Sequence, residues 1–134
     1  MFDLSGKCAV VVGGTSGIGK AISLGLAAAG ADVVASSRTQ DLVDSMAGAL
    51  ELSGRRTLRV LSDVTDRRSL QELHDVVRDS FGLIDILVNS AGITKRVPTL
   101  DCPETLWQGI MDVNLNGTLR ACQIFGKSML EQKQ

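Results

Sequence analysis

The stretch Val10-Val11-Val12-Gly13-Gly14-Thr15-Ser16-Gly17-Ile18-Gly19-Lys20-Ala21-Ile22 decides how the chain is read. An apolar run from Ala9 to Val12 stops at a glycine cluster and resumes with helical spacing. That is the layout of a buried strand passing through a tight turn into a helix. Glycine admits positive φ and leaves no Cβ between the backbone and a bulky anion. The first N–H groups of the following helix, at the positive end of its dipole, face that anion. The stretch predicts a phosphate seat.

Two phosphate loops share these letters. Gly14 to Lys20 fills the leading positions of the nucleoside-triphosphate loop, but Ala21 stands where a Ser or Thr hydroxyl would contact magnesium. The spacing Gly13-xxx-Gly17-x-Gly19 fits a dinucleotide site instead, although it differs from the general GxGxxG pattern. A glycine-rich turn that merely packs helix on strand also fits the loop taken alone.

Bulk properties narrow the class. The 134 residues suit one domain, and 44% hydrophobic with 22% charged residues is ordinary for a globular chain. A net charge of −1 offers no basic footprint for nucleic acid. No apolar run reaches the roughly 18 residues of a membrane span, and Met1 to Leu4 has neither a basic nor a cleavable hydrophobic segment. A cytoplasmic protein with no nucleic-acid or membrane partner is expected. Cys8, Cys102 and Cys122 lack metal-ligand spacing, no metal site is expected, and Cys8 and Cys122 read as buried thiols. His74, the single histidine, reads as a partly exposed helix residue.

Strands and helices alternate. Lys7 to Val12 reads as a first strand, then Gly17 to Ala29 as a helix with Ile18, Ile22, Leu26 and Ala29 on its buried stripe. A second strand covers Asp32 to Ser36, and a second helix capped by Thr39 or Asp41 buries Leu42, Val43, Met46 and Leu50. Thr57 to Leu61 reads as a third strand. Thr65 is placed to cap a third helix that buries Leu70, Leu73, Val76, Val77 and Phe81 and ends at Gly82. Ile84 to Val88 reads as a fourth strand. Asp101 and Glu104 resemble a capping box around Pro103, and a helix kinked near Asn114 runs to about Met129. This order predicts βαβ units and a parallel sheet with right-handed crossovers. Ligands in such sheets bind beyond the carboxyl ends of the strands, where every motif named next lies.

With the glycine loop, Asp63-Val64, Asn89-Ser90-Ala91-Gly92 and Asn114 in this order, the chain resembles the front half of the short-chain dehydrogenase/reductase family over nearly its whole length. Within that family, Phe2-Asp3-Leu4-Ser5-Gly6-Lys7 and Trp107 with Asp112-Val113-Asn114 are similar to sugar-acid and polyol dehydrogenases, with ketoacyl-carrier reductases close behind. The triphosphatase reading predicts none of the later motifs. The resemblance implies an α/β, Rossmann-like doubly wound parallel sheet with the first four strands and their helices. It also implies one NAD(P)-binding domain over residues 1–134, incomplete at its C-terminus, from a family that forms homo-oligomers.

The resemblance assigns roles. The loop residues Gly13, Thr15, Ser16, Gly17, Ile18 and Gly19 would hold the cofactor pyrophosphate, with Ile18 N–H as a donor. Asp63 would accept from the adenine amino group while Val64 packs on the ring; the bland alternative for Asp63 is a turn residue near the start of a helix. Asn89, Ala91 and Gly92 would border the ribose and nicotinamide. Asn114 would bend its helix and order a water leading to the catalytic lysine; the bland alternative is a mid-helix Asn bonded to solvent. Val12 and Ser90 stand where the family usually has Thr and Asn.

Cofactor preference turns on Ser37-Arg38. An acidic residue at that position favours NAD, whereas an Arg nearby accommodates the 2′-phosphate of NADP. Ser37 adds no repelling charge and Arg38 offers a planar fork of donors. NADP(H) is expected, with NAD possible. The family's chemistry, hydride transfer between nicotinamide and a small carbonyl or alcohol substrate, needs a Tyr, a Lys four residues later and a Ser. The chain contains no tyrosine. It reads as the cofactor-binding part of an oxidoreductase whose catalytic half is absent, or alternatively as a non-catalytic dinucleotide-binding or subunit-pairing module.

Overall fold

The computed structural model describes residues 2–132; Met1 and Gln134, which bound the expected domain, lie outside the described residues. The fold is α/β. Three parallel strands, β1 (Cys8–Val12), β2 (Asp32–Ser36) and β3 (Ile86–Asn89), lie in the order β2-β1-β3. Ala9 pairs with Val33 on one side and Ile86 on the other. Helices α1 (Gly17–Ala28), α2 (Gln40–Leu52), α3 (Arg67–Phe81), α4 (Glu104–Met111) and α5 (Gly117–Glu131) complete the chain.

β1 explains the two layers. Its side chains alternate, as strand geometry requires, and all five are buried. Ala9 and Val11 join Ala27, Val33, Met46 and Leu50 on the face covered by α1 and α2. Cys8, Val10 and Val12 join Leu70, Leu73, Val77, Ile124 and Phe125 on the face covered by α3 and α5. A strand buried on both faces reads as the near-continuous apolar run seen in the sequence.

Several local expectations are corrected. α1 buries Gly19, Ser23 and Ala27, while Ile18 is 78% exposed. The smallest face wins because it alone allows contact: a Cβ on Gly19 would lie 1.9 Å from Gly13 O. The expected third strand is not one, so the described residues hold three strands rather than four. Residues 57–61 run beside β2, where Val33 N–H donates to Arg56 O at 3.2 Å and Ser62 N–H to Ser37 O at 3.0 Å. The Ser36 hydroxyl donates to Val60 O at 2.6 Å, and Asp32 Oδ1 accepts from Arg56 N–H, so side chains occupy groups that a ladder would use.

Asp66, rather than Thr65, caps α3, accepting from Arg68 N–H. Leu42 of α2 and Val76 of α3 are exposed rather than buried. Pro103 sits at the N-cap of α4 with no side-chain cap, and Asp101 belongs to a separate 3₁₀ turn, Thr99–Asp101. The kink near Asn114 is a π turn, Asp112–Asn116, closed by Gly117 N–H donating to Asp112 O. Cys122 is exposed, because α5 turns Ala121 and Phe125 inward instead. His74 lies edge-on against Phe125, ring centres 5.3 Å apart, with its side chain only 12% exposed. No described helix is long and apolar enough to cross a membrane.

Candidate cofactor site

The chain leaves β1 toward β2 on one side and returns to β3 on the other, which makes the carboxyl end of β1 a topological switch point. A cavity of about 400 Å³ opens there. Its floor is set by glycines. Gly13 has φ +80°, and a Cβ on it would lie 2.4 Å from Ala91 N. Gly19 in turn packs on Gly13 O, so loop, helix and β3 terminus touch through bare backbone. Gly17, also at positive φ (+52°), faces open space.

The first turn of α1 is open for an anion. Ser16 at its N-cap makes no side-chain cap bond, and no acidic residue occupies the first turn. Gly13, Thr15, Ser16, Gly17, Ile18 and Gly19 all line the cavity. Thr15 is buried, and its Oγ1 donates to Ser37 Oγ at 2.8 Å, tying the loop to the end of β2. Arg38 is exposed beside Ser37, at the start of α2, whose N-cap Thr39 likewise makes no side-chain cap bond. Both helix N-termini therefore open toward the same cavity, which Ser37, Arg38 and Thr39 also line.

Asp63 and Val64 also wall the cavity. Thr65 donates its backbone N–H (2.9 Å) and hydroxyl (2.7 Å) to one oxygen, Asp63 Oδ1, leaving Oδ2 to meet a ligand. The Thr65 hydroxyl, then its amide, hold the Asp63 carboxyl below the usual range, so the acid is an acceptor at neutral pH. Val64 is clamped by α5: a Cβ on Gly117 would lie 2.8 Å from its side chain.

Ala91 and Gly92 line the cavity; Asn89 and Asn114 do not. Asn89 is exposed at the end of β3, and its Nδ2 donates to Cys122 Sγ at 3.4 Å. Asn114 instead pins the loop after Gly92, accepting from Ile93 N–H and donating to Ile93 O. One lone pair of its oxygen and one N–H remain, which is what a bound water needs. The sequence reading missed Leu42, Ile93 and Val113, apolar residues that line the cavity beside the polar motifs. Their neighbours Gly92 and Asn114 were the available signal for the last two.

The arrangement fits a dinucleotide: two open helix N-termini with a glycine floor for phosphates, a guanidinium at the β2 end, and a carboxylate with an apolar neighbour for a base. Comparison with known proteins agrees. Residues 7–134 match the family model described as short chain dehydrogenase. D-threitol dehydrogenase of Mycolicibacterium smegmatis is 39% identical over 132 residues, 97% of this chain and 50% of that protein. 2-Dehydro-3-deoxy-D-gluconate 5-dehydrogenase of Pseudoalteromonas atlantica is 38% identical over 98% of this chain and 52% of its own length. The crystal structure of a short-chain type dehydrogenase/reductase from Mycobacterium marinum superposes with a TM-score of 0.94 at 35% identity, covering 98% of this chain and 53% of that one. The chain spans about half the length of the relatives it matches. It belongs to the short-chain dehydrogenase family.

Proposed function

We propose that this chain is the NADP(H)-binding part of a short-chain dehydrogenase/reductase acting on a small carbonyl or alcohol substrate. The observation that carries the reading is the shared opening of the α1 and α2 N-termini onto one cavity that Arg38 and Asp63 also line. In this reading the N–H groups of Gly17, Ile18 and Gly19 hold the pyrophosphate, and Ser16 flanks them. Arg38, Ser37 and the first turn of α2 hold the 2′-phosphate, with NAD as the weaker alternative. Asp63 Oδ2 accepts from the adenine amino group, and Val64 walls the ring. Ala91 and Gly92 leave room for the ribose and nicotinamide, and Asn114 holds a water with the polar groups Ile93 leaves open. Asn89 braces the end of β3 through Cys122. When bound, the nicotinamide supplies or accepts the hydride exchanged with the substrate carbon.

The Ser, Tyr and Lys that handle the substrate proton belong, in this reading, to a catalytic half that the 134 residues do not include. The relatives' names support sugar acids and polyols as the substrate class. Unpaired cysteines are compatible with a reducing, cytoplasmic setting. Homo-oligomers are part of the same proposal, supported by Leu115 in the π turn and Leu119 and Leu130 on α5, all exposed. The absence of tyrosine favours one further reading, a dinucleotide-binding or subunit-pairing module without turnover. Titration of the pure chain with NADPH and NADH by fluorescence, with nicotinamide absorbance followed against ketones, sugar acids and polyols, tests both. Binding of NADPH without turnover is expected. Failure to bind either nucleotide overturns the reading, and turnover would mean that an unassigned residue transfers the proton.

A further inference from the structure

Arg120, in the first turn of α5, joins two parts of the chain that the cofactor reading uses separately. Its Nη1 donates to Val64 O at 2.9 Å and to Asp112 O at 3.3 Å, and its Nη2 to Asp112 Oδ1 at 2.5 Å. Asp112 opens the π turn, and its carbonyl already accepts the long-period bond from Gly117 N–H. One guanidinium therefore grips both the carbonyl that defines the π register and the carbonyl of the residue walling the cavity. Gly117 closes the joint from the other side, since any Cβ there would strike Val64. The ion pair is partly buried, with side chains 20% and 35% exposed. A planar fork with several fixed donors suits such a three-point contact, whereas a lysine ammonium is a single point charge.

We propose that Arg120 is a positioning residue that locks the Asp63–Val64 wall to the π register of residues 112–116. The adenine end of the site and the placement of Asn114 then move as one unit. The proposal rests on the cofactor reading above and adds to it a coupling between the two ends of the cavity. A turn that is unfavourable by itself is held where it is by a side chain that also touches the ligand wall.

The test uses the full chain as wild type, Arg120→Ala, Arg120→Lys and Asp112→Asn. Adenosine 5′-monophosphate and nicotinamide mononucleotide are titrated separately by NMR, well below the melting temperature, and exchange of the Gly117 amide is measured. Arg120→Ala is expected to weaken adenosine monophosphate binding roughly three- to tenfold, as for coupling through one network, and to speed Gly117 exchange, with nicotinamide mononucleotide binding, reached only through Asn114, weakened less. Arg120→Lys is expected not to restore either property, and Asp112→Asn, which keeps the Val64 contact, to fall between. Wild-type adenosine monophosphate affinity and Gly117 exchange in Arg120→Ala overturn the proposal, as does weakening of nicotinamide mononucleotide alone. Wild-type chain binding neither nucleotide overturns the cofactor reading and the adenine half of the proposal, whereas Gly117 exchange decides the lock by itself.

Discussion

The Asn114 carboxamide holds both backbone polar atoms of Ile93: Oδ1 accepts from its N–H at 2.8 Å and Nδ2 donates to its carbonyl at 2.9 Å. A side chain on the π turn thus replaces a strand partner for the loop leaving β3. Asn114→Ala is expected to lower stability by about 1 kcal/mol, the net worth of exposed hydrogen bonds. Exchange of the Ile93 amide should rise with it; an Ile93 amide as protected as in the wild type would refute the role.

The glycines of the loop differ in kind. Gly19→Ala places a methyl 1.9 Å from Gly13 O, backbone that cannot swing aside. A loss of about 3 kcal/mol or more is expected, at the upper end of overpacking costs. Gly17→Ala meets open space and bears only its φ of +52°, about 1–2 kcal/mol. Urea denaturation of the two variants should rank them in that order.

Arg38→Ala should weaken NADP binding by about 1.5–3 kcal/mol, as for a lost hydrogen bond to a charged group, and leave NAD nearly unchanged. Side-by-side titration of both cofactors measures it. Equal losses would remove Arg38 from the 2′-phosphate site.

Asp63 gives a pH dependence with a definite sign. The Thr65 hydroxyl and amide lower its pKa in the folded chain, so the unfolded chain binds the proton more readily. The associated stabilisation is complete above the ordinary carboxylate pKa of about 4 and is lost as pH falls through the lower folded value. Thr65→Val removes the largest contribution and should raise the Asp63 carboxyl pKa toward the ordinary value in a carbon-13 NMR titration. An unmoved titration curve would contradict the assignment.

Thiol chemistry should separate the cysteines. Burial, then the charges of Asp85 and Asp32, push the Cys8 thiol up to about 12, so almost no thiolate is present at neutral pH. Cys122 is exposed. An aromatic disulfide reagent at pH 8 should label Cys122 within minutes and Cys8 only after denaturation; mass mapping of the labelled peptides reads the order.

What the sequence revealed depended on whether a feature is set by periodicity or by contact. The buried run of β1 and the helical stripe of α3, with Leu70, Leu73 and Val77 inward, follow from spacing alone. The cavity was legible because Thr15, Ser16, Ser37, Arg38 and Ser90 follow the ends of β1, β2 and β3, and Asp63 ends the extended segment beside β2. The face that α1 presents was not, because hydrophobicity points to Ile18 and Ile22 while the close approach of Gly19 to Gly13 O is a property of the assembled backbone. The expected third strand failed similarly: Ser36 and Asp32 side chains meet residues 56 and 60 across the gap, a competition that strand propensity does not record. Arg120 carried no local signal at all, since Val64 lies 56 positions away.

The central position of β1 has a kinetic side. Its two neighbours are unequal in sequence distance: Asp32, opposite Cys8, lies one helix away, whereas Asp85, whose carboxylate accepts from Cys8 N–H, lies 77 residues on. Closing the longer loop costs more chain entropy and must wait for more of the chain. The β1–α1–β2 unit can therefore form during synthesis with one flank of β1 still unpaired. The cavity floor, where Gly13 meets Ala91, comes into being only with that longer closure.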